Sequence, residues 1–475
     1  MALLSLVGYI IVANWFPLRP YYNHSPSPDI RQLAPTLADG GKYAALLLLL
    51  TGLYWIAYQL VTRRKNGLSL AAILAVAALF CLPLIMAFPI NATDVYRYFI
   101  RGRISQVHHE NPFDVSVASL TDEPYAALAG EWAGETSPYG PIWEVVASLV
   151  TSLTPDNLWL GLLFFKCLAV ALFLVIGGLI WLALNDVSAP IRAALTLLWA
   201  WNPSLLLIFA MDGHNDALMI TWLLSGWLIM KGGRTQIGMI ILLLAPLTKP
   251  IALLAIPYFF IFGWRQLTSQ TARIRFLVTT IVSGLAILWL SFLPFGSPLD
   301  LAQRLWSEAG SGGGFSPLAL IILELRERGI DPPIDLSTRL ATLLFAVLAI
   351  LLAWHTWRGR SPLRAAADIF AGYIVQAFRF RIWYAVWPFP WLLLDHGGRP
   401  GSTPGGQARL AAGLTLLFTS QLSVLIYGHL RVEIFGASHL RAHRSGVLFT
   451  FGLPLLVALI VVVYNARLRG RHKEK

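Results

Sequence analysis

The feature that most constrains this chain is the recurrence along its length of apolar runs near the ~20 residues a helix needs to cross a bilayer. Lipid offers no water to satisfy a peptide backbone, so each run is read as a helix. Candidate helices cover 1–16, 43–62, 67–90, 158–184, 192–211, 216–230, a proline-broken pair at 236–247 and 249–263, then 276–294, 338–357, 365–378, 382–394, 409–427 and 446–464. The expected fold class is all-α, a polytopic membrane helix bundle of about 13 spans, forming a single transmembrane domain over residues 1–475. Large loops at 91–156 and 295–337 are expected to carry short interfacial helices.

Only 13% of the residues are charged, against roughly 25% in soluble proteins. The net charge of +12 is split into short clusters between apolar runs, a pattern of topology signals and not of a nucleic-acid surface. These clusters are Arg63 to Lys65, Lys231 with Arg234, Arg265 with Arg273 and Arg275, Arg358 with Arg360 and Arg364, and the tail ARLRGRHKEK. If 236–263 is a hairpin, all five share one side, the cytoplasmic one by the positive-inside rule, and the two large loops face outward. Cys81 and Cys167 both lie in apolar runs, so no loop disulfide is implied. The start, MALLSLVGYIIVANWF, lacks a basic flank and a cleavage site and reads as a retained membrane helix.

Polar residues concentrate in a few segments. NATDVYRYFIRGRISQVHHENPF (91–113) follows an apolar run directly. Read as a helix begun by Thr93, it aligns Asp94, Arg97, Tyr98 and Arg101 in one stripe, with Val95 and Phe99 turned to the membrane. A carboxylate there can take a proton from a sugar hydroxyl and the arginines can clamp a phosphate; a solvated Asp94–Arg97 pair fits the same spacing. SPYGP (137–141) fixes a rigid turn before an apolar helix and presents Tyr139. DGHND (212–216) sets His214, Asn215 and two carboxylates between hydrophobic runs, as ligands or as helix caps. In PLTKP (246–250) the prolines break a helix around Lys249, an intramembrane cation that either serves an anionic lipid phosphate or snorkels to the surface. RFRIWYAVWP (379–388) sets Arg379 and Arg381 beside Trp383 and Tyr384, as an anion pocket or as part of an aromatic belt. His108, His109 and Glu110 read as a surface loop more readily than as ligands.

Taken in order, these segments resemble the GT-C superfamily of integral-membrane glycosyltransferases, and among them the bacterial polyprenol-phosphomannose-dependent α-mannosyltransferases. The resemblance rests on Asp94-Val95-Tyr96-Arg97-Tyr98, Asn111-Pro112-Phe113, Ser137 to Pro141, Asn202-Pro203 with Gly213 to Met219, Thr248-Lys249-Pro250, and Trp383-Tyr384 with Trp387-Pro388. It departs where Ile382 stands in place of a proline before Trp-Tyr, and in placing the first large loop after the third helix rather than the first. It implies transfer of a sugar, mannose by the nearest match, from a polyprenyl-phosphate donor to a hydroxyl of a glycan or glycolipid acceptor, with inversion. The site would face outward from a bacterial plasma membrane. Asp94 is the implied base. Lys249, Arg379, Arg381 and His214 are the implied donor-phosphate ligands. Tyr98, Arg97, Arg101, Tyr139, Asn215, Asp216, Trp383 and Tyr384 are the implied substrate contacts. No metal or other cofactor is demanded, though a divalent cation is compatible with the acids of the outer loop. The rival reading from another class is a transporter or flippase of lipid-linked sugars.

Overall fold

The computed structural model describes residues 1–25, 27–301, 315–330, 334–377, 380–395 and 404–473. Among these residues the chain is helical and forms no β-strand, only an isolated bridge between Pro17 and Ala87. Six described helices are long and apolar enough to cross a membrane, and a bent pair, Ala189–Ala200 with Pro203–Met211, would make a seventh span. The sequence-based count was larger because it included apolar stretches that form shorter helices, such as Ala2–Trp15, Leu70–Ile85 and Ile382–Leu394. Apolar composition alone does not tell a helix long enough to cross from a shorter one.

The chain divides into two compact units, each drawn from three separate stretches. The first comprises Met1–Leu33, Leu74–Leu179 and Leu206–Ala309; the second comprises Ala34–Ile73, Ile180–Leu205 and Gly310–Lys475. In the second, Leu37–Thr62 packs on Ala189–Ala200, and Pro404–Leu425 packs along Leu453–Lys473. Tyr54 there donates its hydroxyl proton to the Leu198 carbonyl at 2.9 Å.

The first unit holds all or most of each element that matters for chemistry. In chain order they are α1 (Leu70–Ile85), α2 (Asp94–Gln106), α3 (Pro141–Ser152), α4 (Leu158–Ala183), α5 (Asp216–Lys231), α6 (Thr235–Leu242) and α7 (Ile256–Gln266). Pro141 opens α3, where a missing N–H costs nothing and the fixed φ suits the first turn. The apolar run of α4 gives a helix of 26 residues. The segment expected as a proline-broken pair does break: α6 ends at Leu242, a 3-10 turn follows at Pro250–Leu254, and α7 begins at Ile256.

Close backbone contacts at glycine set the spacing of these helices. A side chain at Gly102 of α2 would overlap Thr151 and the Ala147 carbonyl of α3, so the two helices touch main chain to side chain. Gly226 of α5 and Gly238 of α6 face one another, and a Cβ added to either would lie within 2.7 Å of the other's carbonyl oxygen. Small residues at helix contacts allow this approach, a common device in membranes.

One expectation for α2 is corrected. It is no surface helix lying in the interface with Val95 and Phe99 toward lipid; every residue from Asp94 to Ile104 is buried in protein. Phe99 lies against Gly161 of α4, where an added Cβ would strike its ring. The apolar face read as lipid-facing is a helix-packing face. Replacing Gly102 with leucine should separate α2 from α3 at a cost of about 3 kcal/mol. Thermal unfolding of the purified protein in detergent checks this: a midpoint well below wild type is expected, with Leu149→Ala, on the exposed side of α3, as the control.

Candidate active site

Asp94 is the first residue of α2, and its carboxylate is buried. Thr93 precedes it at the cap position, but its side chain makes no capping bond. One turn on, Arg97 donates from Nη2 to Asp94 Oδ1, an ion pair made possible by the i, i+3 spacing. Tyr139 donates its hydroxyl proton to the same oxygen at 2.7 Å. Burial pushes the Asp94 carboxyl up, but the charges of Arg97, His214 and Lys249 and the Tyr139 hydrogen bond outweigh it and hold the group well below the usual carboxylate range. Asp94 is therefore ionised, although it is out of water.

Tyr139 reaches Asp94 because of the turn that carries it. Gly140 donates its N–H to the Thr248 carbonyl at 3.1 Å, and Ile142 donates to the Leu247 carbonyl at 2.9 Å. A Cβ at Gly140 would overlap Leu247 backbone, so only glycine lets the two turns meet. The Ser137 N–H donates to the Pro112 carbonyl at 2.8 Å, tying the same turn to the Asn111-Pro112-Phe113 segment. Docking of 137–141 on 247–249 brings Lys249 Nζ to 5.9 Å from the centre of the Tyr139 ring, and Arg101 Cζ to 5.5 Å. Tyr98 packs edge-on to Tyr139 and Trp143, and its hydroxyl accepts from the Asn215 N–H at 3.4 Å.

The DGHND turn completes the cluster. Gly213 has a positive φ of 73°, which bends the chain between the π-helical turn Leu207–Met211 and α5. Lys249 Nζ lies 2.8 Å from both carboxylate oxygens of Asp216 and 3.3 Å from Asn215 Oδ1. Lys249 thus has a protein carboxylate beside it. His214 Nδ1 lies 3.8 Å from Asp216 Oδ2. Burial, only partly opposed by Asp94 and Asp216, pushes the His214 imidazole down to about 4. It is neutral at pH 7, so any contribution to an anion would come from an N–H and not from charge.

The first unit thus gathers Asp94, Arg97, Tyr98, Arg101, Tyr139, His214, Asn215, Asp216 and Lys249. Two further groups join them that sequence reasoning did not single out. Glu144, on the first turn of α3, accepts a hydrogen bond from Ser137, and burial pushes its carboxyl up against the opposing pull of Arg101. Trp132 lies under Arg97, with the guanidinium carbon 4.9 Å from its ring centre. Neither carries a pattern in sequence; both arrive by folding of the loop. Arg103 serves structure instead: it binds both oxygens of Glu123 at 3.0 Å and reaches Asp156 at 3.1 Å. His108 pairs with Glu123 as well, at 2.8 Å, so the His108-His109-Glu110 segment belongs to loop packing. Among the described residues no three His, Cys, Asp or Glu side chains come together as metal ligands.

Arg381, Trp383 and Tyr384 belong to the second unit. Arg381 is extended and precedes the 3-10 turn Ile382–Val386, within which Tyr384 stacks on Trp387 at 4.0 Å between ring centres. Arg379 lies outside the described residues.

A family model described as alpha-(1->6)-mannopyranosyltransferase, N-terminal domain, matches residues 13–266, more than half of the chain. The chain belongs to this family. The matched stretch contains every first-unit residue named above, from Asp94 to Lys249. Among individual relatives, the chain is similar to alpha-(1->6)-mannopyranosyltransferase A of Mycobacterium tuberculosis, with 25% identity over 66% of this chain and 63% of that protein. It is also similar to alpha-(1->6)-mannopyranosyltransferase A of Corynebacterium glutamicum, with 27% identity over 37% of this chain and 36% of that protein. The chain therefore covers less than two thirds of the length of either relative.

Neutral burial of His214 makes stability depend on pH in a defined direction. Its value in the fold, about 4, lies below the ordinary 6.5, so the unfolded chain binds the extra proton between them. This contribution is complete above pH 6.5 and is lost as pH falls toward 4. The unfolding midpoint of the wild type should drop across that window more steeply than that of His214→Gln, as read by thermal scans in detergent at stepped pH.

Proposed function

We propose that this protein is a membrane mannosyltransferase that moves mannose from a polyprenyl-phosphate donor to a hydroxyl of a mannose-containing acceptor, forming an α-1,6 link at the outer face of the membrane. The observation that carries this reading is the buried, ionised Asp94, held by Arg97 and Tyr139 beside the Lys249–Asp216–His214 cluster. The family supports mannosyl transfer, and the linkage is taken from the names of the relatives.

In the proposed reaction the acceptor oxygen attacks the anomeric carbon as the bond from that carbon to the phosphate oxygen breaks. A single displacement inverts the centre, so an α product requires a β-linked donor. The acceptor proton passes to Asp94 and the bonding pair leaves with the polyprenyl phosphate. An aspartate with so low a proton affinity does not strip an alcohol in the ground state. It orients the hydroxyl and takes the proton late, when the attacking oxygen has become acidic.

Charge balance favours an anionic leaving group. Arg97, Arg101 and Lys249 stand against Asp94 and Asp216, while burial pushes Glu144 toward its neutral form. A phosphate brings the negative charge that such a cluster stabilises, and away from water the effect is strong. Nε of Arg97 and Nη1 of Arg101 are buried without a hydrogen-bond acceptor, leaving donors for that purpose. The roles assigned from sequence to Arg379 and Arg381 on the donor phosphate, and to Trp383 and Tyr384 beside the substrate, are part of the same proposal. So is the outward orientation, which rests on the basic clusters.

The test is Asp94→Asn in purified protein supplied with labelled polyprenyl-phosphate mannose and an α-mannoside acceptor. Turnover should fall by about 10²- to 10⁴-fold, with donor binding retained. Full transfer by this variant would defeat the reading. Movement of the lipid-linked sugar across sealed vesicles, with no transfer by the wild type, would favour a flippase instead.

A further inference from the structure

We propose that Lys166 is a positioning residue for this reaction, a clamp that holds the two backbone segments presenting Asp94 and His214 in one fixed relation. The catalytic part of this inference rests on the function proposed above; the clamp itself does not.

Lys166 is the one charged residue in the apolar helix α4, and it is buried completely. Its ammonium donates to the Ile85 carbonyl at 2.9 Å and to the Ala87 carbonyl. The Ile85 carbonyl ends α1, where the last turn has no further N–H to pair with and carries the negative end of the helix dipole; Ala87 lies two residues beyond it, in the bridge with Pro17. From Ala87 the chain runs to Asn91, which donates from Nδ2 to Asp212 Oδ2 at 3.1 Å. Asp94 begins α2 three residues later.

The second segment meets the same lysine from the other side. Asp212 is fully buried and acts electrostatically on Lys166. The next residue, Gly213, packs on the lysine stem: a Cβ there would lie 3.3 Å from Lys166 Cγ and 3.4 Å from Val95 Cγ2. His214 follows. Lys166 therefore touches, by charge or by its alkyl chain, both pieces of backbone that lead into the site, each within a few residues of Asp94 or His214.

Taking an ammonium out of water is costly unless protein groups replace its hydration. Here the compensating groups come from the 85–91 and 212–213 segments. A lysine that merely reached for the membrane surface would be partly exposed and would not bind two main-chain carbonyls inside the protein.

The experiment compares the full-length wild type with Lys166→Met and with the double variant Lys166→Met/Asp212→Asn, by amide hydrogen exchange and by transfer kinetics. Lys166→Met is expected to speed exchange ten-fold or more in peptides covering 86–95 and 211–216. It should lower kcat ten- to a hundred-fold, with KM for the polyprenyl-phosphate mannose donor within two-fold of wild type. The double variant removes the buried Asp212 carboxyl together with the ammonium that faces it, so it should remain testable even where the single variant fails to fold. It should recover neither exchange protection nor kcat, because neither change restores a donor to Ile85 and Ala87. Wild-type exchange in both segments, or full recovery of kcat by the double variant, overturns the proposal. Faster exchange in Lys166→Met alongside full activity of Asp94→Asn would uphold the clamp while removing the enzymatic reading.

Discussion

An ionised carboxylate can be held out of water only if protein groups replace its hydration. For Asp94 those groups are a guanidinium one turn along its own helix and a phenol from a separate turn. The rest of the first unit follows from keeping those two donors in place. Arg97 needs no fold beyond the helix. Tyr139 needs the turn at 137–141 to be seated on the backbone at 247–248, which glycine at position 140 permits. The same seating brings Lys249 beside the Tyr139 ring, and Lys249 in turn fixes Asp216 at the head of α5.

The site thus works as a chain of paired charges in which each pair steadies the next. Asp94 and Asp216 are each matched by a cation, and the imidazole of His214, placed between them, is driven neutral by its surroundings. Such an arrangement is held by contacts within the protein itself. In a medium of low polarity, dipoles fixed in advance are the most effective way to meet charge that develops during a reaction.

Much of this could be read from the residues, and what could not has a physical reason. The stripe Asp94, Arg97, Tyr98, Arg101 follows from helical spacing, and the helix does begin at Asp94. Lys249 between two prolines marks a broken helix, as found. The burial of Val95 and Phe99 was misread, because an apolar side chain looks the same whether it meets lipid or another helix. The partner of Lys249 was invisible in the sequence for a related reason: Asp216 lies on a different helix, and nothing local signals the pair. Arg103 with Glu123 and Asp156, and Glu144 with Ser137, are likewise products of loop folding. Lys166 carried the same warning as Lys249, a lone cation in an apolar run, but without prolines to mark it.

The first unit is assembled from stretches that leave the ribosome far apart, and this bears on biogenesis. Asp94 must enter the translocation machinery long before Tyr139, Asp216 or Lys249 exists. During that interval the cation nearest to it along the chain is Arg97, one turn further on the same helix. An i, i+3 pair is complete as soon as that turn forms, so this partner of Asp94 does not wait for the distant stretches to fold.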